Sequence, residues 1–236
     1  MFGTVADCFI AVDQLVMREK KLMLKELLKA VDADFVGFEN TLALCIGADK
    51  YGMDTPLSNV HAARLSKTAS DLVIEKSRPY FEKQRLFLVP CMQSDTWHLK
   101  CGEQFGATPD GRRAHTPFSQ NIRPSNGVCV NGVTAMLNSV CRLPRDGLLS
   151  GALNLDIDAK LLEGDDGIAI LSSLLGVYFN QGGLHAQITC VGIDDLIDAQ
   201  KNPHLHRDLR VRVTGYSGVF VDICKRLQDD MINRLK

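Results

Sequence analysis

The sequence predicts an α/β chain with a helical N-terminal region. Three observations carry that prediction: apolar residues recur at helical spacing through the first 80 positions, a Gly- and Pro-rich stretch occupies residues 101–132, and strand and helix patterns alternate after it.

Each element follows from local pattern. Between Thr4 and about Lys29, one apolar stripe runs through Val5, Phe9, Val12, Leu15 and Val16 and another through Leu24, Leu27, Leu28 and Val31. This predicts two helices, or one broken near Arg18 to Lys21. Thr55 followed by Pro56 places a capping hydroxyl before a residue of fixed φ, a helix start. Val60, Leu65, Leu72 and Val73 carry that helix to about Phe81. Residues 101–132 hold five glycines, three prolines and few apolar pairs, so they predict a long loop, which in a compact domain is usually functional or disordered. Beyond it come a short helix around Ala135 to Ser139, a strand over Gly151 to Ile157, and a helix over Asp166 to Asn180 with Ile168, Leu171, Leu175 and Tyr178 on one face. A strand in LHAQITCVGI, a short helix in IDDLIDAQK ended by Pro203, and a strand in LRVRVTG complete the alternation.

Bulk properties narrow the function classes. The chain has 236 residues, 45% of them hydrophobic, enough for a substantial core. Lys and Arg number 27 against 28 Asp and Glu, so charge gives no reason to expect a nucleic-acid or anionic-membrane partner, and neither is expected. The apolar run IAILSSLLGVYF at 168–179 is too short to span a bilayer, and the N-terminal segment lacks a basic start and a cleavage site. The expectation is a cytoplasmic chain. Eight cysteines occur without any CxxC, so neither a metal site nor a disulfide framework is expected.

The stretch RVTGYSGVF, Arg212 to Phe220, alternates as a strand should until Gly215, where glycine costs entropy and packing. The residues leave two explanations open. Glycine supplies a positive φ or a close backbone approach. Alternatively, loss of its Cα hydrogen leaves a radical that the neighbouring amide nitrogen and carbonyl both delocalise, with no Cβ to twist them out of plane.

RVTGYSGVF resembles the radical-bearing motif of the glycyl radical enzymes, the family of pyruvate formate-lyase, in which Arg-Val, one variable residue and Gly-Tyr are followed by a Phe. ATPDGRRAHTPFSQNIRPSNG, Ala107 to Gly127, resembles the family's Thr-Pro-Asp-Gly-Arg-Arg loop. GGLHAQITCV, Gly182 to Val191, is similar to its Gly-Gly-x-His-x-Gln segment, and DAQKNPHLHRDLRVRV, Asp198 to Val213, to the stretch leading into the radical loop. All occur in the family's order. GGLHAQ and the ending GYSGVFVD look more like the diol dehydratase, choline lyase and arylacetate decarboxylase branches than pyruvate formate-lyase itself.

The resemblance implies a fold, the C-terminal half of a ten-stranded α/β barrel of glycyl radical enzyme type. Residues 1–100 would be the mostly helical part of a pyruvate formate-lyase-like domain, and 101–236 the glycine radical domain. It also implies an anaerobic lyase or acyltransferase that binds no cofactor of its own. A separate S-adenosylmethionine iron-sulfur activating enzyme removes one hydrogen from the glycine. The stored radical then takes a hydrogen from a cysteine in a facing loop, and the thiyl radical attacks substrate. By this resemblance Gly215 is the radical store, Arg212 and Tyr216 hold the loop, and Val213, Val219 and Phe220 keep it buried and dry.

The family's catalytic cysteine sits in a Gly-Cys-Val/Ile-Glu or paired-cysteine loop several hundred residues before the glycine. None of the eight cysteines here has that context; Cys129 is the nearest candidate, while Cys45 and Cys190 read as small hydrophobes. The expected partners are therefore the activating enzyme and a chain or domain carrying the cysteine loop, with self-association expected of an exposed half-barrel. Three readings stay open: a subunit or fragment of a split enzyme, a free-standing radical carrier similar to the autonomous glycyl radical cofactor, and a non-catalytic module kept for binding or assembly.

Other polar groups read as structure. His185 is taken as a structural strand histidine, and His204 and His206 as a solvated turn. In TPDGRRA an anion site is one reading; the other has Arg112 and Arg113 pinning the loop to carbonyls and carboxylates around Asp110. Glu163, Asp165 and Asp166 are expected to cap a helix, and Asp194, Asp195 and Asp198 to open one.

Overall fold

The structure, a computed structural model, describes residues 1–86, 88–93, 95–148 and 150–235. Its N-terminal region is helical. Helix α1 (Phe2–Ala11) runs into a π-helical stretch at Val12–Arg18, and after a break come α2 (Leu24–Asp32) and α3 (Glu39–Gly47). The break near Arg18 to Lys21 is where the two apolar stripes change phase.

Helix α4 (Pro56–Gln84) begins where Thr55 and Pro56 place it. The Thr55 hydroxyl accepts from the Ser58 amide at 3.1 Å, and the Ser58 hydroxyl accepts from the Thr55 amide at 3.3 Å, a reciprocal capping box. Its buried face is not the one the apolar stripe predicts. Ser58, Ala62, Ser66, Ser70 and Ser77 are buried, while Val60 and Leu72 are 62% and 50% exposed. Small residues let α4 lie close to its neighbours: α1 packs along it, and a Cβ on Gly147 would stand 2.5 Å from Ile74 Cδ1.

Helix α5 (Trp97–Gln104) takes up the first residues of the expected loop, which therefore runs from Phe105 to Asn131 before α6 (Gly132–Cys141). Strands β1 (Cys91–Met92), β2 (Ser150–Ile157) and β3 (His185–Cys190) form a parallel sheet in the order β1-β2-β3. Helix α7 (Gly164–Asn180) provides the crossover that a parallel β2–β3 pair requires. β2 is buried along nearly its whole length, as a central parallel strand should be. After α8 (Ile193–Lys201), strands β4 (Arg210–Arg212) and β5 (Ser217–Val219) make an antiparallel hairpin, and α9 (Lys225–Leu235) follows.

The largest cluster of buried side chains joins α1, Tyr51, α6, β2 and Tyr178 of α7. A second joins Leu99 of α5 to the C-terminal part, with Val213 and Phe220 beside the hairpin and Leu196, Leu227 and Met231 of the helices among its members. The acidic start of α7 matches the expectation in charge alone: Asp165 and Asp166 lie in its first turn, but Glu163 makes no side-chain capping bond. No helix of the described residues is long and apolar enough to cross a membrane.

Candidate functional site

The hairpin of β4 and β5 turns through Val213, Thr214, Gly215 and Tyr216. Gly215 has φ +72°, in the left-handed region that L side chains rarely adopt, and apart from its chain neighbours no residue comes within 4 Å of where its Cβ would stand. The turn closes with the Val213 amide donating to the Tyr216 carbonyl at 3.0 Å. Arg212 reaches across to Ser217 Oγ at 3.3 Å, and its amide donates to Thr189 Oγ1 of β3 at 3.2 Å. Phe220 is fully buried beneath, whereas Tyr216 is 48% exposed.

Gly215 itself is exposed, which differs from the buried, dry setting expected of it. The reason is geometric. Val213 and Phe220 pack inward on the C-terminal cluster, and the turn projects away from them.

What holds the turn is a set of buried amides from three separate stretches. The Gly215 N–H donates to Gln187 Oε1 of β3 at 2.6 Å. Asn154 of β2 donates through Nδ2 to the Val213 carbonyl at 3.0 Å and to Gln120 Oε1 at 2.8 Å. Gln120, from the 105–131 loop, donates to Thr214 Oγ1 at 2.7 Å. All three side chains are at least 97% buried. The parallel register pairs Asn154 directly with Gln187, so the two amides stand side by side on one face of the sheet. GGLHAQ and the SQN of the loop mark Gln187 and Gln120 only as parts of motifs. Asn154 has a fainter signal, a lone amide between two leucines of the strand.

The TPDGRRA loop follows the pinned reading. Arg112 donates to the Thr116 carbonyl at 2.7 Å, the Arg113 carbonyl at 3.2 Å and the Gly106 carbonyl, and stacks on Phe118. Arg113 pairs with Asp34 at 3.2 Å. Between this loop and the N-terminal helices lies a cleft of about 600 Å³ floored by Asp7, Lys50 and Asp110. Asp7 is fully buried, and burial first, then Asp110, pushes its carboxyl up to about 7. Lys50 Nζ donates to the carbonyls of Cys45 and Ala48 at 2.6 and 2.9 Å, closing the C-terminus of α3.

Helix α9 is fixed by buried charges. Asp230 accepts from Arg234 Nη2 at 2.6 Å and faces His98 Nε2 at 3.1 Å, and its other oxygen accepts from Asn126 at 2.9 Å. Arg123 and Arg234 each stand 3.8 Å from Asp156 Oδ2.

All eight cysteines are free. Cys129 lies against the main core with its thiol pushed up by burial, while Cys91, Cys190 and Cys224 are exposed. His206 pairs with Asp198 at 2.7 Å, and His185 begins β3. Among the described residues no group of three His, Cys, Asp or Glu is placed to hold a metal ion.

Residues 2–90 match the family model described as pyruvate formate lyase-like, and residues 118–221 the one described as glycine radical. The chain is 35% identical to the isethionate sulfite-lyase of Desulfovibrio desulfuricans, over 98% of this chain and 28% of that protein. To the trans-4-hydroxy-L-proline dehydratase of Clostridioides difficile it is 32% identical, over 98% of this chain and 29% of the relative. It superposes on the glycerol-bound, B12-independent glycerol dehydratase from Clostridium butyricum with a TM-score of 0.92 at 33% identity, covering 99% of this chain and 29% of that one. The chain thus spans 28% to 29% of the length of these relatives. With both models matching in one chain, and relatives of this kind covering nearly all of it, the chain belongs to the glycyl radical enzymes.

Proposed function

We propose that this chain is the radical-bearing portion of a glycyl radical enzyme, with Gly215 as the residue that holds the radical. The observation that carries this reading is the placement of Gly215: it stands at an open hairpin tip, in a conformation only glycine adopts freely, with its amide gripped from below by a buried side chain. The space at its side-chain position is open, which leaves the Cα approachable from outside on that side.

In the proposed reaction a separate iron-sulfur activating enzyme, supplied with S-adenosylmethionine and one electron from a reductant, removes a hydrogen atom from the Gly215 Cα. The residues of this chain orient the turn: Asn154 fixes the Val213 carbonyl, Gln120 the Thr214 hydroxyl and Gln187 the Gly215 amide. The glycyl radical then draws a hydrogen from a cysteine on a portion outside this chain. Relatives named as lyases and dehydratases support a lyase or dehydratase as the class of the assembled enzyme. The exposure of Gly215 and Tyr216 at the tip of the turn favours docking of a cysteine-bearing portion over it.

Anaerobic incubation with a competent activating enzyme, S-adenosylmethionine and reductant tests the reading. The expected result is a doublet electron paramagnetic resonance signal that Gly215→Ala abolishes. Absence of the doublet, or its survival in Gly215→Ala, rejects the assignment. A module used only for assembly would instead bind its partner equally well with either residue at position 215.

A further inference from the structure

We infer that Gln187 is a positioning residue for the radical centre, acting through the hydrogen bond its side-chain carbonyl accepts from the Gly215 amide. The inference rests on the reading of Gly215 as the radical site and adds to it the residue that sets the electronic state of that site.

Gln187 is 97% buried in β3, and its Oε1 lies 2.6 Å from the Gly215 nitrogen. The orientation of the side chain follows from chemistry, since only the carbonyl end can accept from an N–H. The other end is left with nothing: Gln187 Nε2 is buried and has no hydrogen-bond partner. An unpaired buried donor destabilises a fold, and Met or Leu would fill the same space without it. What the amide adds, and an apolar isostere lacks, is an acceptor aimed at one backbone N–H. Of all the turn residues, that N–H belongs to Gly215.

An acceptor there has a direct electronic effect. A glycyl radical is stabilised because the amide nitrogen donates electron density toward Cα while the carbonyl withdraws it. A hydrogen bond accepted from the N–H increases the electron density on nitrogen and so strengthens the donating half. It also fixes the plane of the Thr214–Gly215 peptide. With φ at +72°, the Cα must rotate toward planarity with that amide when it loses a hydrogen. Gln187 holds the amide side still while the rest of the turn adjusts, and Asn154, its cross-strand neighbour, steadies the Val213 carbonyl one peptide earlier.

The test compares the wild-type chain with Gln187→Met, which removes the acceptor at similar volume, and Gln187→Glu, which keeps it. Thermal unfolding first establishes that each variant is folded. After anaerobic activation, Gln187→Met is expected to show a larger α-proton splitting in the doublet and a lifetime about tenfold shorter, with Gln187→Glu restoring both. Without activation, hydrogen exchange at the Gly215 amide is expected to run about tenfold faster in Gln187→Met than in wild type. A folded Gln187→Met whose radical has wild-type splitting and lifetime overturns the role of Gln187 while leaving Gly215 as the radical site. A wild-type chain that gives no doublet with a competent activating enzyme overturns the radical reading and this inference with it.

Discussion

Asp7 illustrates how strongly a single residue here is governed by its surroundings. Its carboxyl accepts from the Tyr51 amide at 2.7 Å and the Ser125 hydroxyl at 2.8 Å, yet burial and Asp110 still raise it to about 7. The folded state therefore binds a proton that the unfolded chain, titrating near 3.8, has already released. The stability tied to this proton is complete below pH 3.8 and is lost as pH rises through about 7. Each pH unit in that window costs about 1 kcal/mol. Asp7→Asn is expected to flatten the fall in melting temperature between pH 5 and 7, measured by thermal unfolding across that range. Gly215→Ala provides a second residue-scale test. With open space at the Cβ position, the cost comes from the left-handed backbone alone, about 1 kcal/mol, measured by urea unfolding. A loss several times larger would mean that the turn is sterically closed. The turn at Gly215 was legible in the sequence because glycine breaks the alternation of RVTGYSGVF. The amides beneath it were not, because Gln120, Asn154 and Gln187 are brought together only by the strand register and a long loop.

At the scale of elements, α4 and α9 show opposite limits of sequence reading. The start of α4 was readable from two residues, Thr55 and Pro56. Its orientation was not, because the buried seam is made of serines, whose small side chains permit close approach but carry no hydrophobic signal. Ser66 Oγ is buried without a partner, so Ser66→Ala is expected to be neutral or to stabilise the protein by up to about 1 kcal/mol in denaturant unfolding. Ser66→Leu, which would push α4 away from its neighbours, is expected to destabilise by about 1–3 kcal/mol. No element was expected over the KRLQDDMINRL of α9, where charged residues outnumber apolar ones. Its charges are in fact buried: Asp230 and Arg234 are 2% and 6% exposed. Burial alone would raise the Asp230 carboxyl, but Arg234 and then His98 hold it well below the usual range. Stability from this pair is present above the ordinary carboxylate pKa and falls away as the pH drops below it. Arg234→Met is expected to cost about 3–5 kcal/mol, because it strands a buried carboxylate, with much of that recovered in the double variant Arg234→Met/Asp230→Asn.

For the whole molecule, the decisive property is how much apolar surface the chain leaves uncovered. On α7, Ile168, Ile170, Val177 and Phe179 are 45% to 70% exposed, and Val60, Leu72 and Tyr80 stand out from α4. Such faces mark interaction surfaces in a soluble protein. Under the proposed function, they are candidate surfaces for the cysteine-bearing portion to pack against. The isolated chain is expected to self-associate at micromolar concentration in analytical ultracentrifugation, and Ile168→Glu with Val60→Glu to shift it toward monomer. A monodisperse wild-type monomer would contradict this. Sequence periodicity located these helices but took Ile168 and Val60 as inward-facing, since period alone does not say which of two surfaces a helix is packed against.

The buried anchoring of α9 also bears on how oxygen damage would look. If an activated Gly215 met air and the backbone broke there, residues 216–236 would be cut from the chain but not set free, because Phe220, Leu227 and Met231 sit in the C-terminal core, Asp230 stays bonded to His98 and Asn126, and Arg123 holds the Arg234 carbonyl. The nicked protein would keep its native size and most of its spectroscopic signature, and the break would show only once the chain was denatured.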